Sequence, residues 1–189
     1  GDAALHGAHA VEVFVEFVLI VLRQLAAKVF RPAKDEIEHL PIERFGSDEQ
    51  KNRLLLPVAT GDSVLTAALI EPSGDEALAP ATTAKKDGAA WRLDGVKTSV
   101  PAAHVAERVL VPATTGSGKV GMFIVDPRAK GVELQRQKGT SGERLSLMVM
   151  KDVAVDAGDV LGDPHGGRES LDWRAERTLA GHCITELGV

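Results

Sequence analysis

Through the middle of the chain, apolar and polar positions alternate in short runs. From Val64 onward these are "SVLTAALIE", "AAWRLDGVKTSV", "RVLVPAT", "VGMFIVD", "VELQRQ", "LSLMVMKDVAV" and "DVLG". Gly, Pro and Asp divide them at intervals of about ten residues, a rhythm that predicts an all-β sandwich or barrel. Asp94-Gly95 is the strongest local hairpin signal, the pair favoured where a tight turn needs φ > 0. Both ends read as helical. Ser47 with Gln50 three residues later forms a capping box, predicting a helix over 48–56 that stops before Pro57, then a turn at Gly61-Asp62. Residues 10–30 predict one or two helices closed by Pro32. Beyond Gly166-Gly167, Leu171, Ala175, Leu179 and Cys183 recur four apart, the stripe of an amphipathic helix.

The fold class expected is therefore α+β, a β domain flanked by helices. Its parts are a partial N-terminal helical segment (1–60), a middle β domain (61–165) and the start of a C-terminal helical domain (166–189). The last stripe reaches Val189 with nothing after it to cover it, the mark of a truncated helical bundle or of a surface that meets a partner.

The run "VEVFVEFVLIVLRQLAAKVF", residues 11–30, has the length of a membrane span. Glu12, Glu16, Arg23 and Lys28 interrupt it, and one charge near the bilayer centre costs roughly 2.5–3.5 kcal/mol. Its uncharged middle, Phe17 to Leu22, is too short to span. It reads as a buried or partner-facing helix, and Gly1-Asp2 does not begin a signal peptide.

Composition narrows the classes further. A formal net charge of -5 gives no basic face for phosphate backbones, and aromatics at 4% with no Tyr leave few stacking platforms, so nucleic acid is not an expected partner. A lone Cys183 excludes an internal disulfide framework and points to the cytoplasm. "GSGK" at 116–119 is not a phosphate loop, because Ala113 and Val120 stand where that motif needs Gly and a hydroxyl; it reads as a hairpin turn. "GTSGE" lacks the strand–turn–helix setting of a nucleophile elbow. His6 and His9, with the scattered His39, His104, His165 and His182, offer no tetrahedral spacing, and no metal site is expected.

Four stretches in order carry a family resemblance. "FGSDEQKNRLLLPVATGD" resembles the helix and turn that precede the middle domain of the acyl-CoA dehydrogenases. "AALIEPSGD" resembles that family's strand ending in Thr-Glu-Pro with its Gly-Ser-Asp loop. "WRLDGVKTSVPAAHVAERVLV" resembles the next segment, usually Asn-Gly, x-Lys, x-Trp-Ile-Thr, then Ala-Asp and a strand. "KDVAVDAGDVLGDPHGG" is similar to the exit toward the first helix of a C-terminal bundle. The likeness covers about residues 42–189.

The resemblance implies a flavoenzyme of lipid breakdown, acting on fatty, branched or steroid acyl-CoA thioesters. A carboxylate takes the α proton while FAD accepts hydride from the β carbon. An oligomer, and an electron-transfer flavoprotein as electron acceptor, go with it. Leu69, Ile70, Ser99 and Pro101 stand at the family's flavin-contacting positions, and Ser73 and Gly74 in the substrate loop. Glu176 matches a place where one branch of the family carries its catalytic Glu; ordinary pairs on the helix surface with Arg174 or Arg177 are the alternative.

Several of these positions depart from the family pattern. Ile70 replaces a Thr hydroxyl, and an unpaired buried flavin atom costs on the order of 1–3 kcal/mol. Ser99 replaces the Trp that covers the ring, giving up most of the roughly 150–250 Å² an aromatic buries. Pro101 removes a hydroxyl and an N–H together. The "PSGD" loop is also shorter than the family's. Two functions follow: a flavin-dependent acyl-CoA dehydrogenase subunit, or a non-catalytic, flavin-deficient partner in a hetero-oligomeric enzyme.

Overall fold

The computed structural model describes residues 40–74, 79–116, 118–140 and 142–173. The segment over 10–30, Glu176 and Cys183 lie outside them. Two helices, α1 (Leu40–Phe45) and α2 (Asp48–Thr60), precede seven strands. The strands are β1 (Leu65–Ala67), β2 (Thr83–Asp87), β3 (Ala90–Pro101), β4 (Arg108–Thr115), β5 (Val120–Val125), β6 (Val132–Lys138) and β7 (Arg144–Val155). A 3₁₀ turn, Ala157–Asp159, follows, and helical turns begin at 167–173.

All seven strands form one sheet. Its order is β1-β4-β2-β3-β7-β6, with β5 on the other edge of β4. β4 is shared along one edge, pairing in parallel with β1 at Val109 and Leu110 and with β2 at Thr114 and Thr115. The rest of the pairing is antiparallel. The sheet curls, and the period of two sorts its side chains into two cores. Val109, Val111, Ala113, Phe123 and Val125 face inward with Trp91, Leu93, Met148 and Met150. Leu65, Ala67, Leu110, Met122 and Ile124 point the other way, onto Ile42, Leu54, Leu161 and Leu171. The helices thus cover the back of β1, β4 and β5, which explains why every residue of β5 is buried.

The capping box at Ser47 and Gln50 forms as expected, and the Gln50 amide also donates to the carbonyls of Gly158 and Val160 at 2.8 Å. α2 does not stop before Pro57 but runs one turn further, to Thr60. Pro57 removes only its own N–H, while its carbonyl accepts from Asp62 at 2.8 Å and Gly61 closes the helix in the left-handed region (φ 84°). Asp94-Gly95 does not form a hairpin turn either. β3 passes straight through it with a register shift against β7, and the hairpin lies earlier, at Gly88 (φ 60°) between β2 and β3. Gly95 serves close approach instead: a Cβ there would stand 2.7 Å from Thr82 Cα. The "DVLG" run forms no strand, only the 3₁₀ turn and a bridge from Val160 to Phe123.

"GSGK" is a hairpin turn between β4 and β5, held where the Gly118 N–H meets the Thr115 carbonyl at 2.8 Å. The 139–143 loop joins β6 to β7, with the Gly139 N–H on the Glu143 carbonyl at 3.1 Å. Among the described residues there is no metal-ligating cluster, and no helix is long and apolar enough to cross a membrane.

Candidate functional site

The structure brings the two stretches singled out by the sequence together. The segment after β1 crosses the end of β3 through one antiparallel bridge, Ile70 to Thr98, in which the Thr98 N–H donates to the Ile70 carbonyl at 2.8 Å. Pro101 is tied to β1 itself, since its carbonyl accepts from Thr66 Oγ1 at 2.7 Å. Leu69 turns its side chain into the helix-side core, whereas Ile70 is 40% exposed. Ser73 and Gly74 form the exposed turn after Glu71, closed by the Gly74 N–H on the Glu71 carbonyl at 3.2 Å. Residues 75–78 that continue this loop, and Glu176, lie outside the described residues.

β3 loses register with β7 between Lys97 and Val100. Within that bulge Ser99 adopts φ 52°, a left-handed conformation uncommon for a residue with a side chain. Gln137, reaching across from β6, holds it there. Its Oε1 accepts from the Ser99 N–H at 3.0 Å, and its Nε2 meets Thr98 Oγ1 at 3.1 Å. The Ser99 N–H and the Thr98 hydroxyl are therefore satisfied from within the chain.

Beneath the bulge lies a buried ion pair. Lys97 is fully buried and Glu71 is 8% exposed, with Nζ 2.6 Å from Oε1. The carboxylate also accepts from the Thr82 hydroxyl at 2.6 Å, the Thr82 N–H at 3.0 Å and the Ala81 N–H at 2.6 Å. Burial alone pushes the Glu71 carboxyl up, but the hydrogen bonds from Lys97 and Thr82 together outweigh it and hold it below the ordinary carboxylate value. Burial also pushes the Lys97 ammonium down, and Glu71 offsets only part of that. The pair fixes Ile70 and Thr98 from below.

Sequence reasoning singled out Ser99 and Pro101 as departures from the family pattern but did not foresee the bulge, the Glu71–Lys97 pair or Gln137. A signal for the pair was present. Lys97 keeps the inward phase of Trp91 and Leu93 along β3, and an inward ammonium demands a carboxylate. Gln137 carried no comparable signal, because on β6 it is one polar residue among several.

These residues do not suit a flavin ring. Ile70 offers an apolar surface where a donor is needed, Pro101 has no N–H and its carbonyl is engaged, and Gln137 takes the Thr98 hydroxyl and the Ser99 N–H. Of the bulge's side-chain donors, Gln137 engages the Thr98 hydroxyl and leaves the Ser99 hydroxyl, a single small donor where a ring needs bonding and cover.

Comparison with known proteins agrees with the fold. Residues 67–153 match the family profile described as acyl-CoA dehydrogenase, middle domain. The short-chain specific acyl-CoA dehydrogenase of Bos taurus is 33% identical over 132 residues, covering 66% of this chain and 32% of the relative. The caffeyl-CoA reductase-Etf complex subunit CarC of Acetobacterium woodii is 30% identical over 149 residues, covering 75% and 39%. A glutaryl-CoA dehydrogenase of Mycobacterium smegmatis, solved with FADH2, superposes with a TM-score of 0.61 at 29% identity, covering 65% of this chain and 33% of the other. The chain thus spans 32% and 39% of the length of these two curated relatives.

Proposed function

Because this chain belongs to the acyl-CoA dehydrogenase family through its middle β domain, we propose that it is a subunit of an assembly that removes hydrogen from the α and β carbons of an acyl-CoA thioester. Within that assembly it is the flavin-deficient member. A sister subunit with the usual flavin contacts carries the redox chemistry, and this chain completes the oligomer around it. One observation carries the reading: Gln137 occupies the hydroxyl and N–H of the bulge. The exchange of Thr for Ile70 and Trp for Ser99 works in the same direction, removing what would bond and cover a ring.

The name of the similar CarC subunit includes Etf, which supports an electron-transfer flavoprotein as the acceptor of the assembled enzyme. A cytoplasmic location goes with this reading, given the lone Cys183. The test is co-expression of the complete protein with acyl-CoA dehydrogenase subunits from the same genome, followed by assay with acyl-CoA thioesters and an artificial electron acceptor. The reading expects turnover only from a co-purified complex. Turnover by the protein alone contradicts it.

A further inference from the structure

The loop 139–143, where β6 turns back into β7, carries an exposed hydroxyl at Thr140. The Gly142 N–H on the Gly139 carbonyl at 3.0 Å makes 139–142 a tight turn, with Thr140 at its second position. No described residue hydrogen-bonds the Thr140 hydroxyl. It is therefore presented to solvent on a backbone that is itself held.

Three cations stand at the foot of that turn. The period of two puts Arg136 and Lys138 on one face of β6, and the antiparallel ladder sets Arg144 of β7 directly opposite Lys138. Like charges so opposed destabilise a strand pair. All three line a cleft of about 390 Å³, together with Gly142 and Glu143 from the far side of the turn. Among the described residues none of the three makes an ion pair, whereas Arg53, Arg92, Arg108 and Arg128 each have a carboxylate partner. Against the one carboxylate of Glu143 they leave two positive charges in excess, on a chain whose formal net charge is -5.

We propose that Thr140 is a phosphorylation site, and that Arg136, Lys138 and Arg144 receive the phosphate it acquires. A phosphothreonine carries roughly 1.5–2 negative charges near neutral pH and three acceptor oxygens, which matches both the excess charge and the number of cations. Arg136 and Lys138 stand four and two residues ahead of the acceptor, a cationic approach that a protein kinase with an acidic peptide groove can read. In the transfer, Thr140 Oγ1 attacks the γ-phosphorus of a nucleoside triphosphate held by that kinase. The bond from the phosphorus to the bridging oxygen breaks, the hydroxyl proton passes to a carboxylate of the kinase, and the nucleoside diphosphate leaves. Seated on the three cations, the phosphate relieves the repulsion between Lys138 and Arg144 and braces the end of β6, next to Gln137.

Two measurements on the complete protein test this, and neither requires turnover. Phosphopeptide mapping of the protein isolated from the cells that make it should find phosphate on Thr140, and Thr140→Val should lose it. Separately, phosphate placed on Thr140 during translation should titrate, by phosphorus NMR, at lower pH in the folded chain than in urea, because the cations favour its doubly charged form. Lys138→Gln and Arg144→Gln, singly and together, should move the folded midpoint back toward the unfolded one, and added salt should do the same. Lys85→Gln, on β2 and outside the cleft, should leave it in place. Thermal melting verifies that each variant remains folded. A native protein without phosphate on Thr140 overturns the modification site. A folded midpoint equal to the unfolded one, or one that Lys138→Gln with Arg144→Gln does not move, overturns the role of the cations.

Discussion

Lys97 and Glu71 form a buried ion pair, Nζ to Oε1 at 2.6 Å, in the layer directly beneath the Ile70–Thr98 bridge. Removing one partner leaves the other charged and out of water, which typically costs about 3–5 kcal/mol. Glu71→Gln or Lys97→Met alone should therefore destabilise the fold by that order in urea denaturation. Glu71→Gln combined with Lys97→Met should recover most of the loss, because an uncharged replacement of the whole pair leaves no buried charge unmatched. A double variant no better than the worse single would show that the pair is not an isolated unit.

The same pair sets a pH dependence. The folded Glu71 carboxyl lies below its ordinary value of 4.5, so its contribution is complete above that value and is lost as pH falls through the depressed one. The Lys97 ammonium lies below its ordinary 10.5, so between its lowered value and 10.5 the folded state binds fewer protons than the unfolded state, and this group's contribution rises with pH. Melting temperatures across the acid range should show the wild type losing stability faster than the Glu71→Gln, Lys97→Met double variant. Parallel acid curves would remove the pair as the cause.

How much of this was legible in the sequence differs from element to element. The capping box named the start of α2, because Ser47 and Gln50 act within one turn and need nothing distant. The strands were visible from their Val, Ile and Leu content, but Asp94-Gly95 misled. Its glycine answers to Thr82, a residue of the neighbouring segment, rather than to a local turn. Pro57 misled for the opposite reason, since a proline in the last turn breaks only one bond and Gly61 supplies the true end. At the site, Ile70, Ser99 and Pro101 stood out as departures from a pattern, while Gln137, on a strand 38 residues away from Ser99, could be found only once β3, β7 and β6 lay side by side.

Gln137→Ala should release the Ser99 N–H and the Thr98 hydroxyl and lower stability by about 1–3 kcal/mol, the usual range for a lost partner in a partly buried site. Ser99→Gly should do the reverse, gaining up to about 1 kcal/mol, because glycine adopts φ 52° without a steric penalty. Chemical denaturation of both variants decides the point. A Ser99→Gly protein weaker than the wild type would mean that the hydroxyl, not the backbone, matters there.

With redox chemistry assigned to a sister subunit, the proposed function does not call on Glu176 as the base. On that reading, Glu176→Gln in the co-purified complex should leave turnover within about twofold, since no proton transfer depends on it. A fall of the order of a hundredfold or more, the usual contribution of a general base, would instead make it the proton acceptor.

The visible absorption of the complete protein, purified without a partner and then exposed to excess FAD, bears most directly on the central claim that the bulge closed by Gln137 holds no isoalloxazine. The account predicts a colourless protein as purified and no perturbation of the flavin bands on addition. Stoichiometric flavin retained through purification, or bands shifted by burial of the ring, would contradict it.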